Sequence, residues 1–407
     1  METPAALGHG RKALYVTAFV RAATTSLVGV LIGVYLARLR ITGAAFGSIV
    51  SAGLVGAALA AVAATFLGDR LGRRRFLMLL TLASIAGTLV FATTSSPLVL
   101  GVAAFAGMLN GMGKDRGAAL ILEQAALPGT TTAVNRTQVI AWYTMLQDFG
   151  HAAGAALAGL PTLLSATTTL KGSEPHRVML LTCAGLGALS LGLYALLGAG
   201  IDAPAGRERV VVSPKTRAIL TKISALFAID SLAGGFLTTA MLSYFFFERF
   251  GVSEGLIGGL FFGARLMNAL SHLGAAWLAK RIGLVNTMVF THVPSSLLLM
   301  TVAFAPTFPI AAVLFLLREG LVEMDVPTRS SYVLAVVAPE ERTFASGITN
   351  LVRLASWAVA PAFAGFLMRG DSMFLPLVIG AAMKISYDIL LYRAFRAVRP
   401  PEEQGAT

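Results

Sequence analysis

The chain has 407 residues, of which 56% are apolar and 13% charged, against about 25% charged in ordinary soluble domains. With 42 glycines and a mean hydropathy of +0.76, few positions remain for a wetted surface, which excludes a disordered chain and argues against a soluble enzyme. No Lys/Arg-rich domain or tail carries the net charge of +12 to nucleic acid, and the single cysteine, Cys183, lies in an apolar run and can form no intrachain disulfide.

The polar lead of residues 1–12 runs directly into an apolar stretch too long for a signal h-region, so the first helix is expected to be retained. A bilayer crossing takes about 20 apolar residues. On that measure the chain reads as twelve spans, over 12–37, 44–67, 76–94, 98–127, 137–163, 177–199, 218–247, 254–279, 284–305, 309–337, 343–368 and 373–396. Turn chemistry separates them: Gly68–Arg75, Ser95–Pro97, Pro128–Arg136, Lys280–Gly283 and Pro339–Arg342 are examples. The longest polar stretch, 200–217, follows six spans and precedes six more. It predicts an N-terminal six-helix bundle over 1–199, a cytoplasmic loop over 200–217 and a C-terminal six-helix bundle over 218–407. With both termini in the cytoplasm, seventeen Lys and Arg fall on that side and six outside, which is the positive-inside pattern.

The halves read as repeats. Arg70 and Gly72 at the end of the second span match Arg281 and Gly283 at the end of the eighth. Asp115 lies 13 residues before Pro128 in span 4, and Asp325 lies 14 before Pro339 in span 10. An all-α membrane protein of twelve helices in two six-helix pseudo-repeats is the economical reading.

The loop Gly68-Asp69-Arg70-Leu71-Gly72-Arg73-Arg74-Arg75 resembles the signature loop between helices 2 and 3 of the major facilitator superfamily, with Thr65 in place of the motif's leading glycine and Lys280 in place of the Asp in the second copy. The resemblance implies two bundles rocking about a midplane site, with Asp69, Arg70, Gly72 and Arg73 as a gating loop. It also implies that helices 3, 6, 9 and 12 are peripheral.

A charge inside the bilayer costs at least about 2.5–3.5 kcal/mol on insertion scales, so each one is a candidate functional residue. Within the spans lie Arg21, Lys114, Asp115, Arg116, Glu123, Asp148, Asp230, Arg265, Arg318, Glu319, Glu323, Asp325, Arg329 and Arg353, and spans 3, 6 and 9 hold none of these. Helical spacing places Arg265, Asn268 and His272 on one face of span 8, and Asn350 with Arg353 on one face of span 11. It also aligns Arg116 with Glu123, and Arg318 with Asp325 and Arg329, while Glu319 and Glu323 form an adjoining stripe. Arg21, Arg116, Trp142, Asp148, Asp230, Arg265, Asn268, Asn350 and Arg353 are the expected substrate or cavity-lining residues. Asp115, Glu123, Glu319, Glu323 and Asp325 are the expected proton carriers, because a buried carboxylate is pushed toward a neutral pKa. Seven cations face seven anions, so mutual pairing is the competing reading. Lys384 and Asp388, spaced i,i+4 on span 12, are expected to pair with each other. His151, His272 and His292 read as packing residues, and Phe245, Phe246 and Phe247 as facing lipid or the interface.

No phosphate loop, HExxH, CxxC or GxSxG motif occurs, so no cofactor, metal or enzymatic activity is expected. Gly150, Gly154, Gly159 and Pro161 resemble the glycine-rich fifth helix of proton-coupled drug antiporters, without its Gly-Pro pair. The expected protein is a monomeric secondary transporter in the plasma membrane, exporting a small organic solute coupled to protons, with the lipid bilayer and no nucleic acid as partner. The alternatives are uptake or exchange of an anionic metabolite, a carboxylate or phosphate held by arginines, and a transport-inactive sensor or scaffold.

Overall fold

The computed structural model describes residues 4–131, 135–198, 213–325, 329, 332–333, 337 and 341–395. All regular structure among them is helical, as expected, and eight stretches are long and apolar enough to cross a membrane. The loop predicted over 200–217 falls largely outside the described residues, and the full count of twelve crossings is not traced through them. The chain divides into two compact units, Met1–Arg207 with Thr238–Phe262, and Glu208–Leu237 with Gly263–Thr407.

In the first unit α1 (Pro4–Arg38) packs along α6 (Arg136–Leu157), α2 (Gly43–Leu71) along α4 (Pro97–Gly107), and α3 (Arg73–Thr93) along α8 (Glu174–Ala195). The contact of α1 with α6 depends on missing side chains: a Cβ on Gly154 would stand 2.0 Å from the Ala23 carbonyl oxygen, and one on Gly150 2.5 Å from that of Phe19. Close backbone approach of this kind is how membrane helices gain packing contact where no hydrophobic force separates them from lipid.

Three expected spans are interrupted here, each for a local reason. Span 4 stops at Gly107, with Met108 left-handed at φ 53°, and resumes as α5 (Ala118–Ala126). The irregular stretch between carries Gly111, Gly113 and Gly117, which are poor helix formers. Asn110 closes a turn there, its side chain accepting from the Met112 N–H at 2.8 Å and donating to the Lys114 carbonyl at 2.9 Å. Span 5 breaks after Leu157 and continues as α7 (Leu160–Thr167), where Pro161 stands in the first turn. Span 7 divides into α9 (Pro214–Gly235) and α10 (Thr239–Phe250), and the Thr238 hydroxyl caps the latter by accepting from the Met241 N–H at 3.2 Å.

α10 belongs to the first unit and packs on α1. The Ser243 hydroxyl donates to the Val30 carbonyl at 2.9 Å, and a Cβ on Gly33 would meet the Ala240 carbonyl at 2.3 Å. Contrary to the expected lipid exposure, Phe245 and Phe246 are fully buried, in contact with each other and with Phe250. At the start of α11 (Glu254–Ile282) the buried Glu254 carboxylate takes Arg38 Nη2 at 2.8 Å and the Thr162 hydroxyl at 3.1 Å, with His176 Nε2 3.5 Å away.

The second unit repeats the pairing of the first. α9 packs along α14 (Arg342–Leu367), while α12 (Leu284–Ala303) packs along α13 (Phe308–Val322) and α15 (Leu375–Phe395). Spans 1 and 5 thus correspond to 7 and 11, and spans 3 and 6 to 9 and 12. The turns match as well: Gly72 between α2 and α3 has φ 87°, and Gly283 between α11 and α12 has φ 85°. At the head of α9, Glu341 accepts the Ser213 backbone N–H at 2.5 Å, which holds its carboxyl below the usual range.

Candidate functional site

The break in span 4 brings one arginine between two carboxylates. Arg21, at mid-length of α1, donates from Nε to Asp115 Oδ2 at 2.6 Å, and its Nη1 lies 2.7 Å from Glu123 Oε1. The same guanidinium reaches the Tyr194 hydroxyl at 3.2 Å and the Tyr143 hydroxyl at 3.1 Å. Glu123 on α5 has no exposed surface. Thr17 approaches it at 2.8 Å, Tyr143 donates to it at 2.6 Å, and Tyr194 donates to it as well. A buried carboxylate needs that many donors to replace the water it has lost.

Asp115 is held more loosely. Besides Arg21, its carboxylate takes Gln147 at 3.4 Å, while its backbone N–H donates to His151 Nε2 at 2.9 Å. Asp115 and Arg21 also form part of the wall of a cavity of about 150 Å³ inside the first unit. A buried charge repays its desolvation only through such pairing, and removing one partner strands the other.

The second unit holds its own network. Asp230 on α9 accepts from Lys384 Nζ at 2.8 Å and from Arg329 Nη1 at 2.9 Å, and Arg329 also pairs with Asp325 at 2.9 Å. Lys384 lies 3.3 Å from His292 Nε2, and His292 Nδ1 lies 3.0 and 3.1 Å from the two oxygens of Asp388. An ammonium can only donate, so His292 Nε2 accepts and its Nδ1–H is left for Asp388. The expected Lys384–Asp388 pairing is therefore not what forms: Lys384 reaches across to α9, and Asp388 reaches α12. An i,i+4 ion pair contributes only about 0.2–0.5 kcal/mol, and a buried helix has better partners on its neighbours.

Other expected residues separate. Asn268 is buried with neither amide atom hydrogen-bonded among the described residues, whereas Arg353 donates to the Ser231 hydroxyl at 3.2 Å and lies 4.7 Å over the Trp357 ring. Trp142, Asp148 and Asn350 are exposed, and Arg116, Arg265 and Glu323 are half-buried. Glu319 pairs with its neighbour Arg318. α13 ends at Val322, so Arg318 and Asp325 do not ride on one unbroken helix, and Arg116 lies in the irregular stretch before the helix that carries Glu123. In the segment expected to gate, Asp69 accepts from Arg73 at 2.9 Å, and Arg73 also caps the Ala125 carbonyl at the end of α5 at 2.7 Å; Arg70 is exposed. Sequence reasoning passed over Thr17, Tyr194 and His292 as site residues. Their signal is only a polar atom inside an apolar run.

The model of the Major Facilitator Superfamily matches residues 14–361. The chain belongs to the major facilitator superfamily. The likeness read from Gly68–Arg75 is thus borne out, and the chain is a multi-pass membrane protein of a transporter family. It is 23% identical over 421 residues to the uncharacterized membrane protein YJR124C of Saccharomyces cerevisiae, covering 95% of this chain and 94% of that one. The fold is similar to that of the nucleoside transporter NupG, with TM-score 0.74 and 14% identity over 96% of this chain and 99% of that one. It is also similar to the xylose transporter XylE of E. coli, with TM-score 0.70 and 13% identity over 98% and 99%. A bacterial homolog of the human lysosomal transporter Spinster gives TM-score 0.70 and 13% identity over 97% and 96%.

Proposed function

We propose that this superfamily member is a proton-coupled secondary transporter of a small organic solute, working by alternating access from the plasma membrane with both termini in the cytoplasm. The observation that carries the reading is the sharing of Arg21 by Asp115 and Glu123. Glu123 is saturated with donors and serves as the fixed anchor of the arginine. Asp115, with fewer donors and a place on the cavity wall, is the carboxylate that loads a proton. Protonation there weakens its hold on Arg21 Nε, leaves the guanidinium to Glu123, and so alters how α1 is tied to the break in span 4.

Export is the proposed direction, on the likeness of the glycine-rich span 5 to that of drug antiporters. The location and orientation rest on the distribution of Lys and Arg. Asp325, Arg329, Asp230 and Lys384 act as structural and gating pairs in the second unit, since each carboxylate there has a cation within 3 Å. Asp69 and Arg73 gate at the loop.

The test is flux in liposomes under an imposed pH gradient, with vesicles sorted by protein orientation. Asp115→Asn is expected to lose the response to the gradient by at least about tenfold, or about 1.4 kcal/mol of coupling. Glu123→Gln is expected to lower the folded yield instead. Gradient-indifferent flux in the parent protein removes proton coupling, and no flux for any solute in a metabolite and drug panel favours a transport-inactive scaffold.

Arg21 is committed to two carboxylates and two tyrosines, so the anionic-metabolite reading is tested at Arg353 instead. Arg353→Lys is expected to leave solute affinity within about threefold, whereas a bidentate anion clamp would lose far more.

A further inference from the structure

Two successive turns of α11 carry buried polarity that bonds to nothing among the described residues. Asn268 is 6% exposed and Ser271 2%, yet neither the two amide atoms of the one nor the hydroxyl of the other has a hydrogen-bond partner. Side chains of these types elsewhere settle their bonds locally. Asn110 and Asn286 each donate to a backbone carbonyl, and Thr287, Thr291 and Ser386 each donate to the carbonyl four residues before. The hydroxyls of Ser26, Ser224 and Ser296 are also buried and unbonded, but each idles a single group. Asn268 idles a whole carboxamide, with two donors and an acceptor. Such a group is costly to bury unpaired, and a leucine would fill a similar space without that cost.

Helix geometry says where the two groups point. At 100° per residue, Gly263 and Gly274 share the face of α11 that lies on span 10, where a Cβ would stand 3.2 Å from Leu316 and 2.8 Å from Met324. Asn268 is about 130° round from that face, and Ser271 about 70° in the same sense. The exposed Leu266 and Leu270 lie about 160° from Asn268. Asn268 is thus directed off the contact with span 10 and away from lipid, on the side of the small, buried Ala264 and Ala275. It stands at the centre of a helix of 29 residues, at the depth of the bilayer midplane, and span 8 is not among the four that the resemblance sets at the periphery.

The chemistry of the idle groups names what they would take. A carboxamide is planar and presents a donor beside an acceptor, so its complement is a planar edge with an acceptor beside a donor. An anion would leave Oδ1 idle, and a cation would leave the amide N–H groups idle. Ser271, one turn on, has its Cβ about 5–6 Å from that of Asn268 and adds a hydroxyl that can donate or accept.

We propose that Asn268, with Ser271 beside it, is the solute-recognising contact of span 8 and takes a neutral planar amide edge, a carboxamide or a lactam. The inference rests on the transporter reading and deepens it, because it names the substrate class at a mid-membrane position. The solute supplies the bonds that the fold withholds, so occupancy shifts the protein toward the conformation that lets them form.

The full-length protein in nanodiscs is titrated with acetamide, nicotinamide and 2-pyrrolidone, and with the counterparts that lack the N–H: acetone, 3-acetylpyridine and cyclopentanone. The readout is the midpoint of thermal unfolding, which rises when a ligand binds the folded state. At least one amide is expected to raise the midpoint, and its counterpart is not. Asn268→Leu is expected to fold with a midpoint at or above that of the parent while weakening amide binding at least about tenfold. Ser271→Ala removes only a hydroxyl and is expected to keep the midpoint while weakening amide binding about threefold.

The proposal is overturned if no amide raises the midpoint of the parent, if the counterparts raise it as much, or if Asn268→Leu binds amides as the parent does. An Asn268→Leu midpoint well below the parent's, or no folded protein, also overturns it, because the carboxamide is then part of the packing. Gradient-driven flux with no amide binding removes the seat and leaves the transporter. Amide binding without flux for any solute leaves the seat and removes the transporter.

Discussion

Neutral side chains decide what the buried charges at the centre of the first unit can do. Tyr143 and Tyr194 each touch both Arg21 and Glu123, so the two tyrosines hold the ion pair together. Tyr143→Phe removes one donor from a carboxylate that has no water to replace it and is expected to cost about 1–3 kcal/mol, read as a lower unfolding midpoint in detergent. The charged members were legible in the sequence, because Arg, Asp and Glu stand out in apolar runs. Their assignment to one another was not, since fourteen charges permit many pairings. Tyr143 reads with Trp142 as able to line the cavity from span 5, whereas Tyr194 was illegible because a phenol is unremarkable in a bilayer, and the His292–Asp388 contact because it joins helices 96 residues apart.

At the scale of elements, the apolar runs located the helices but not their interruptions. Hydropathy averages over Asn110–Gly117, where the glycines and the Asn110 side chain end one helix and begin another. Turn positions were better announced, since Gly72 and Gly283 were matched by sequence and share one backbone conformation, with φ 87° and 85°. That conformation is strained for any residue with a Cβ. Gly72→Ala and Gly283→Ala are each expected to destabilise by about 1–3 kcal/mol, and by similar amounts, measured as the loss of folded protein on heating. Gly117→Ala, where the added Cβ meets open space, is expected to be nearly neutral.

Across the whole molecule, composition was the most legible layer. Exposed Leu, Phe and Val on α2, α3, α11 and α12 leave an apolar coat that only lipid covers at low cost. The proposed orientation rests on the distribution of Lys and Arg, and it can be checked directly. In a Cys183→Ala background, Ser213→Cys at the head of α9 is expected to react with a membrane-impermeant maleimide in broken cells and not in intact ones. Labelling in intact cells would reverse the orientation of every span. The pseudo-repeat was visible through Asp115 and Asp325, yet the two copies are used differently: one carboxylate shares an arginine with a second carboxylate, the other sits in a network with two cations.

The first unit takes its last piece from beyond the middle of the chain. α10 covers α1 and Glu254 receives Arg38, so a nascent chain that has reached residue 207 still lacks the carboxylate for that arginine and the helix for that face. The missing segment ends 55 residues later, at Phe262. At typical rates of synthesis that is a wait of roughly 3–11 seconds. During it the face of α1 around Gly33 must be shielded by lipid or by the insertion machinery. Translation speed across 208–262 is therefore a variable in how cleanly the N-terminal bundle assembles.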